Sequence, residues 1–129
     1  MDIIKPIHIG ETGWATVDDH IYTTPGSGAT DEIKMKLYYD AINQWAFQNN
    51  ISCFYFEAFN EPWKGGELGS ESHFGLFTVD GKAKYALWDL VDKGTFNEIN
   101  RGGNPIVKTY NGNIDLLYQD LLLPAIKKD

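Results

Sequence analysis

Between Lys5 and Phe59 the chain passes through a short apolar alternation, a long polar stretch, a helical pattern and a second, strongly apolar run. This strand–loop–helix–strand order is its tightest constraint. In the first run, KPIHIG (5–10), Ile7 and Ile9 alternate around His8, and a carboxylate, Glu11, follows at once. The second run, ISCFYFEAFNEPW (51–63), opens with the β-branched and aromatic residues of a buried strand and passes into Glu57, Glu61 and Pro62. Two such strands joined through a helix are parallel, in a right-handed unit. A charge at the end of a buried strand needs a reason, and the floor of a cleft supplies one.

The helix between them is predicted from Thr30, a plausible N-cap, with Asp31 and Glu32 in the first turn where the helix dipole favours negative charge. Ile33, Leu37, Ala41 and Trp45, joined by Tyr38, Ile42 and Ala46, form its expected core stripe. Glu32 and Lys36 are spaced for an ion pair, and Asn49-Asn50 supply a left-handed stop. Before it, residues 15–30 carry Pro25-Gly26 and Ser27-Gly28 and read as a loop long enough for a lid or cleft wall. After Trp63 a Gly-rich loop leads to Phe74-Gly75-Leu76-Phe77, a turn at Asp80-Gly81, and a second helical stripe of Ala83, Ala86, Leu87, Leu90 and Val91 stopped near Gly94. Beyond it the expectations are a short Pro105-Ile106-Val107 stretch, a turn at 111–113 and a last helix over 114–123. Residues 1–94 are therefore assigned to the main unit and 95–129 to a C-terminal extension of the same domain.

Two parallel strands alone leave both sheet edges open. Two strand–helix units are a quarter of an eightfold (β/α) barrel, a fold of about 250 residues. A chain of 129 residues is thus expected to be α/β, a partial (β/α)8 TIM barrel comprising about the last two βα units and a tail. A formal charge of −7 disfavours non-specific attraction to nucleic acid or anionic membrane. No apolar run reaches the roughly 18 residues of a membrane span, and the N-terminus has no apolar core of a secretory signal. Cys53 is the only cysteine and the three histidines lie far apart, so neither metal nor cofactor is expected.

In a barrel, catalytic groups collect at the C-terminal ends of strands, where Glu11 sits; cap and catalytic roles are equally open from position alone. Of the later acids Glu61, at the rim, is the better site candidate. Glu57 reads as a buried acid paired with a Lys or Arg of a neighbouring strand. Trp14, Phe59 and Trp63 beside these acids suit the apolar face of a sugar ring, although core packing is the better account of any one of them taken alone. Lys64 is placed to bond a hydroxyl or to hold an acid ionised.

GETGW (10–14), FEAFNEPWK (56–64), ESHFGLF (71–77) and DGKAKYAL (80–87), in that order, resemble the C-terminal part of glycoside hydrolase family 17, the β-1,3-glucanases and related glucan-modifying enzymes. The resemblance implies a (β/α)8 barrel and a retaining, two-carboxylate hydrolysis of β-1,3-glucosidic bonds in a β-glucan. It makes Glu11 the nucleophile, Glu61, Lys64 and Glu71 supporting groups, and Trp14, Phe59, Asn60 and Trp63 substrate contacts. The family's general acid/base stands on a strand this chain lacks, so the isolated polypeptide is expected to be inactive and to need an N-terminal barrel portion as partner. The intact parent would be a secreted, periplasmic or envelope enzyme. The alternatives are a non-catalytic carbohydrate-binding or structural piece, or a transglycosylase.

Overall fold

The computed structural model describes residues 4–17 and 30–121, and within them the chain is a small α/β unit with few strands. β1 (His8–Thr12) and β2 (Ser52–Tyr55) pair in parallel, His8 opposite Ser52 and Thr12 opposite Tyr55, with a register irregularity between. α1 (Glu32–Gln48) connects them. β1 lies later than its apolar pattern suggested, so that Glu11 belongs to the strand rather than following it. The loop expected to form a lid falls largely on 18–29, outside the described residues.

α1 begins one residue beyond the expected cap. The Asp31 carboxylate, not Thr30, accepts the Lys34 amide at 2.8 Å and also pairs with the Lys34 ammonium. The helix ends at Asn49-Asn50, with Asn50 at φ 51° as its Asn-Asn signal implied. Its buried side only partly follows the predicted stripe: Ala46 is buried as expected, but Met35, outside the stripe, is fully buried, whereas Leu37 and Trp45 are exposed. α1 packs on β2 through Tyr38 and Tyr39, whose rings lie 6.5 and 5.0 Å from that of Tyr55. The Tyr38 hydroxyl also bonds that of Thr12. Among the described residues this sheet has two strands, so one rotation of the helix meets it and leaves Leu37 and Trp45 exposed. Lys36 pairs with Asp40 (3.1 Å) and Asp89 (3.5 Å) instead of Glu32. Glu32 is buried and accepts the Tyr85 amide and the Thr109 hydroxyl, both at 2.8 Å.

β2 is not the fully buried strand its composition suggested. Cys53 and Tyr55 turn inward, while Ser52 and Phe54 are exposed, Phe54 by 65%. Beyond β2 the chain bends and is held by backbone bonds to later segments. Phe77 N–H donates to Ala58 O (2.8 Å), Asn60 N–H to Phe77 O (2.9 Å), Lys84 N–H to Leu76 O (2.9 Å) and Ala83 N–H to Val107 O (2.7 Å). Gly75 is required for this layering, since a Cβ there would sit 2.1 Å from Asn60 N and 2.5 Å from Phe77 O. Gly75→Ala is accordingly expected to cost about 1–3 kcal/mol or more, read as a lowered denaturant midpoint. An unchanged midpoint would mean the segments are not packed this closely.

The second helical stripe resolves into a 3-10 turn (Tyr85–Leu87) running into α2 (Trp88–Asp92), with Gly94 at φ 76° closing it. Ala83, expected in that helix, is extended and bridges Phe77 and Lys108. Ala83, Ala86, Leu87 and Trp88 are the best-covered apolar group, and the Trp88 indole N–H donates to Ala83 O (3.2 Å) and Thr109 Oγ1 (3.3 Å). The Pro105 region is one arm of an antiparallel hairpin, β3 (Asn100–Arg101) with β4 (Asn104–Pro105), turning through Gly102 and Gly103. A 3-10 turn at 109–112 precedes α3 (Ile114–Gln119), capped by the Asn113 side chain on the Asp115 and Leu116 amides. The expected helix over 114–123 thus ends at Gln119, with Asp120 as its C-cap, and 122–123 fall outside the described residues.

Candidate active site

The acids of the second run gather because the strand stops. Pro62 opens a 3-10 turn, Pro62–Lys64, which folds the Lys64 side chain back over the end of β2. Its Nζ lies 3.2 Å from Glu57 Oε2, pairs at short range with Glu61 Oε2, and sits 4.5 Å from the centre of the Phe56 ring. One ammonium therefore holds two carboxyl groups. The Glu57 side chain is only 12% exposed.

The two carboxyls titrate apart. Burial, followed by the hydrogen bond to Glu61, raises the Glu57 carboxyl above its ordinary value. The Lys64 hydrogen bond, followed by that from Glu57, lowers Glu61. In turn Glu61, against a smaller desolvation effect, raises Lys64. Glu57 is thus the more readily protonated member and Glu61 the more readily ionised, the pattern of two acids sharing one site.

Glu11 is exposed near the end of β1. Thr12 O accepts the Phe56 amide at 2.6 Å, so Glu11 and Glu57 flank a direct link between neighbouring strand ends. Glu71 is exposed on a 3-10 turn, Ser70–Ser72, which packs against the Pro62–Lys64 turn; a Cβ on Gly69 would meet Gly65 O at 2.4 Å. All the expected acids therefore lie on strand ends and the turns that follow them.

The expected substrate contacts separate into free and engaged side chains. Trp63 is 75% exposed. Trp14 is half-buried, with its ring 5.2 Å from Tyr38. Phe59 stacks on Phe77 at 5.2 Å and carries the Arg101 guanidinium 3.6 Å from its centre, so the ring is engaged within the chain. Asn60 Oδ1 accepts the Gly75 amide (3.1 Å) and the Lys84 ammonium (2.9 Å), and its Nδ2 lies 3.5 Å from His73 Nδ1.

Two residues were undervalued in the sequence. Glu57 does have a cationic partner, but from the following turn and in company with Glu61, not from a neighbouring strand. The signal was the spacing of Glu57, Glu61 and Lys64 across a proline-started turn. Lys84 lies within the DGKAKYAL motif without an assigned role, and its sequence neighbours, with Lys82 two residues before it, carry no signal that this lysine is the buried one.

With this geometry established, likeness to known proteins is informative. No protein-family model matches the chain. Over 98% of its length it matches a solved structure with a TM-score of 0.89 and 60% identity. The chain is similar to an endo-laminarinase. That protein, from Formosa Hel1_33_131, is matched over 33% of its own chain. Among curated proteins, a glucan 1,3-beta-glucosidase of Arthroderma benhamiae is 36% identical over 86 residues, 61% of this chain and 27% of that one. A glucan 1,3-beta-glucosidase of Schizosaccharomyces pombe is 35% identical over 79 residues, 61% of this chain and 23% of that one. The chain thus spans about a quarter of these curated relatives and a third of the solved neighbour.

Proposed function

We propose that the chain supplies the nucleophile-bearing part of a glycoside hydrolase acting on β-1,3-glucan, within the (β/α)8 barrel of family 17. The carrying observation is the 60% identity and 0.89 TM-score over nearly the whole chain to one third of an endo-laminarinase. The open edges of the β1–β2 pair and the exposed Phe54 and Leu37 add physical support, since further barrel strands and helices would cover both. On this reading 1–94 is barrel and 95–129 an extension of the same domain, consistent with the Thr109 hydroxyl on Glu32 of α1.

The chemistry follows from the placement of the acids. Glu11, exposed and free to approach a sugar, attacks the anomeric carbon as a carboxylate. The bond to the leaving glucosyl oxygen breaks, and a second carboxylic acid, about 5–5.5 Å away in retaining enzymes, gives that oxygen its proton. No acid of this chain is assigned that role; it belongs to the remaining strands. Water then cleaves the glycosyl–Glu11 ester, activated by the same second carboxylate. Glu61, its ionised form favoured by Lys64, accepts hydrogen bonds from sugar hydroxyls, while Trp63 offers a stacking face. Because Trp63 is exposed, Trp63→Ala is expected to shift stability by no more than about 0.5 kcal/mol. It should weaken binding of laminari-oligosaccharides several-fold in calorimetry; unchanged binding removes Trp63 from the subsite.

The test of the reading is release of reducing sugar from laminarin, by the chain alone and by a graft in which it replaces the matching third of the Formosa endo-laminarinase. Turnover is expected from the graft and not from the chain. An inactive but folded graft refutes the proposal.

A further inference from the structure

The three acids of the proposed site come from three separate segments, and one buried side chain touches all three. Lys84 is 2% exposed. Its Nζ donates to Thr16 Oγ1 (2.9 Å), Asn60 Oδ1 (2.9 Å) and His73 O (3.1 Å). Thr16 lies on the segment leaving β1, five positions after Glu11; Asn60 adjoins Glu61; His73 follows Glu71 by two. The lysine itself comes from a fourth segment, fixed by its own amide on Leu76 O at 2.9 Å and by the 3-10 turn that follows.

We propose that Lys84 is a positioning residue that sets the Glu11, Glu61 and Glu71 segments relative to one another, its three N–H groups matched one to each. The inference rests on those acids being the site. An ammonium has three donors and no acceptor, and here all three are used by three different segments. Packing alone does not require a charge: a buried ammonium costs desolvation, and an apolar side chain of similar length would fill the channel more cheaply. Each acceptor also keeps another bond without Lys84. Thr16 N–H still reaches His73 O (3.1 Å), as does the Thr16 hydroxyl (3.2 Å), and Gly75 N–H still reaches Asn60 Oδ1 (3.1 Å). Removing the lysine therefore takes away the one group shared by all three segments, while the direct bonds from Thr16 to His73 and from Gly75 to Asn60 remain.

The groups facing the ammonium are the carboxyls of Glu32, from α1, and Glu57, from the end of β2, together with the Thr16 hydroxyl, the Asn60 amide and the His73 carbonyl. Burial, only partly offset by Glu32 and then Glu57, pushes Lys84 down to about 8. Once neutral it has two N–H groups for three acceptors, so one of the three loses its bond to Lys84. The sign for stability is separate: a lysine depressed when folded binds fewer protons folded than unfolded, so overall stability rises as pH climbs from about 8 toward the ordinary lysine value. Looser placement together with rising stability is a signature that simple unfolding does not produce.

The experiment is an NMR titration of the full chain from neutral to alkaline pH, with Lys84→Met and Lys84→Arg beside it. The Thr16, Asn60 and Gly75 amide signals are expected to shift together with a midpoint near 8. They should stay still in Lys84→Arg, which does not titrate there, and lie displaced at every pH in Lys84→Met. In the laminarinase graft, Lys84→Met should lower kcat by up to about 100-fold with KM nearly unchanged, Lys84→Arg recovering part of the loss. Signals that titrate identically in Lys84→Arg, or a Lys84→Met graft with full kcat and only a lowered melting point, would overturn the proposal. An inactive wild-type graft would refute the glucanase reading, and the titration would still decide the role of Lys84.

Discussion

Glu11→Gln, in the laminarinase graft, is expected to lower kcat for laminarin hydrolysis on the order of 10⁴-fold or more while the protein folds and binds oligosaccharide as before. The amide keeps the size and hydrogen-bonding edge of the carboxylate but cannot form the ester through which retention proceeds. Glu11 is exposed at a strand end, with no buried contact to lose, so a folding defect is not the expected cause. Glu61→Gln should behave differently. It removes the ionised partner of Lys64 and leaves that ammonium with Glu57 alone. The result should be a smaller rate loss and a displaced pH profile. If Glu11→Gln costs less than about tenfold and Glu61→Gln costs the full factor, the assignment of nucleophile is reversed.

The second large effect concerns stability. Trp88→Ala is expected to destabilise the chain by about 3–5 kcal/mol, a large share of the 5–15 kcal/mol typical of a whole domain. Trp88 is the largest well-covered side chain beside Ala83 and Leu87, and its ring meets Tyr85 edge-on at 5.0 Å. Its indole N–H also serves Ala83 O and Thr109 Oγ1, tying the 83–88 segment to the tail. Trp88→Phe keeps most of the apolar area and loses those bonds, a penalty nearer about 0.5–1.5 kcal/mol. Urea unfolding followed by circular dichroism separates the two; a Trp88→Ala loss below about 1 kcal/mol would mean this cluster is not the core.

The sequence revealed what depends on local pattern. The strand–helix–strand order, the left-handed stop at Asn50 and the turn at Asp80-Gly81 all follow from residues acting on their own backbone. The acidic cluster was half legible: Glu61 and Lys64 were recognised, and Lys64 does hold an acid ionised. What failed depended on partners distant in sequence. Periodicity identified an apolar stripe on α1, but whether Leu37 or Met35 faces inward depends on how much sheet lies beneath the helix. β2 had the composition of a doubly covered strand and is covered on one face, because composition records the surroundings a strand is built for. Phe59 and Asn60, adjacent to the acids in sequence, are engaged by Arg101, Gly75 and Lys84 from as far as 42 residues away, 101 minus 59. No spacing rule links Lys84 to Thr16, Asn60 and His73; the chain brings them together through the backbone-bonded segments between 57 and 109.

The central claim is that this chain carries the nucleophile of a retaining β-1,3-glucanase. It is tested most directly by treating the graft with a laminari-oligosaccharyl fluoride bearing fluorine beside the anomeric carbon, which slows breakdown of the covalent intermediate, and mapping the adduct by mass spectrometry. The account predicts one glycosyl group per molecule, on Glu11. An adduct on Glu57, Glu61 or Glu71, or an active graft that forms none while inverting the anomeric configuration of its product, would contradict it.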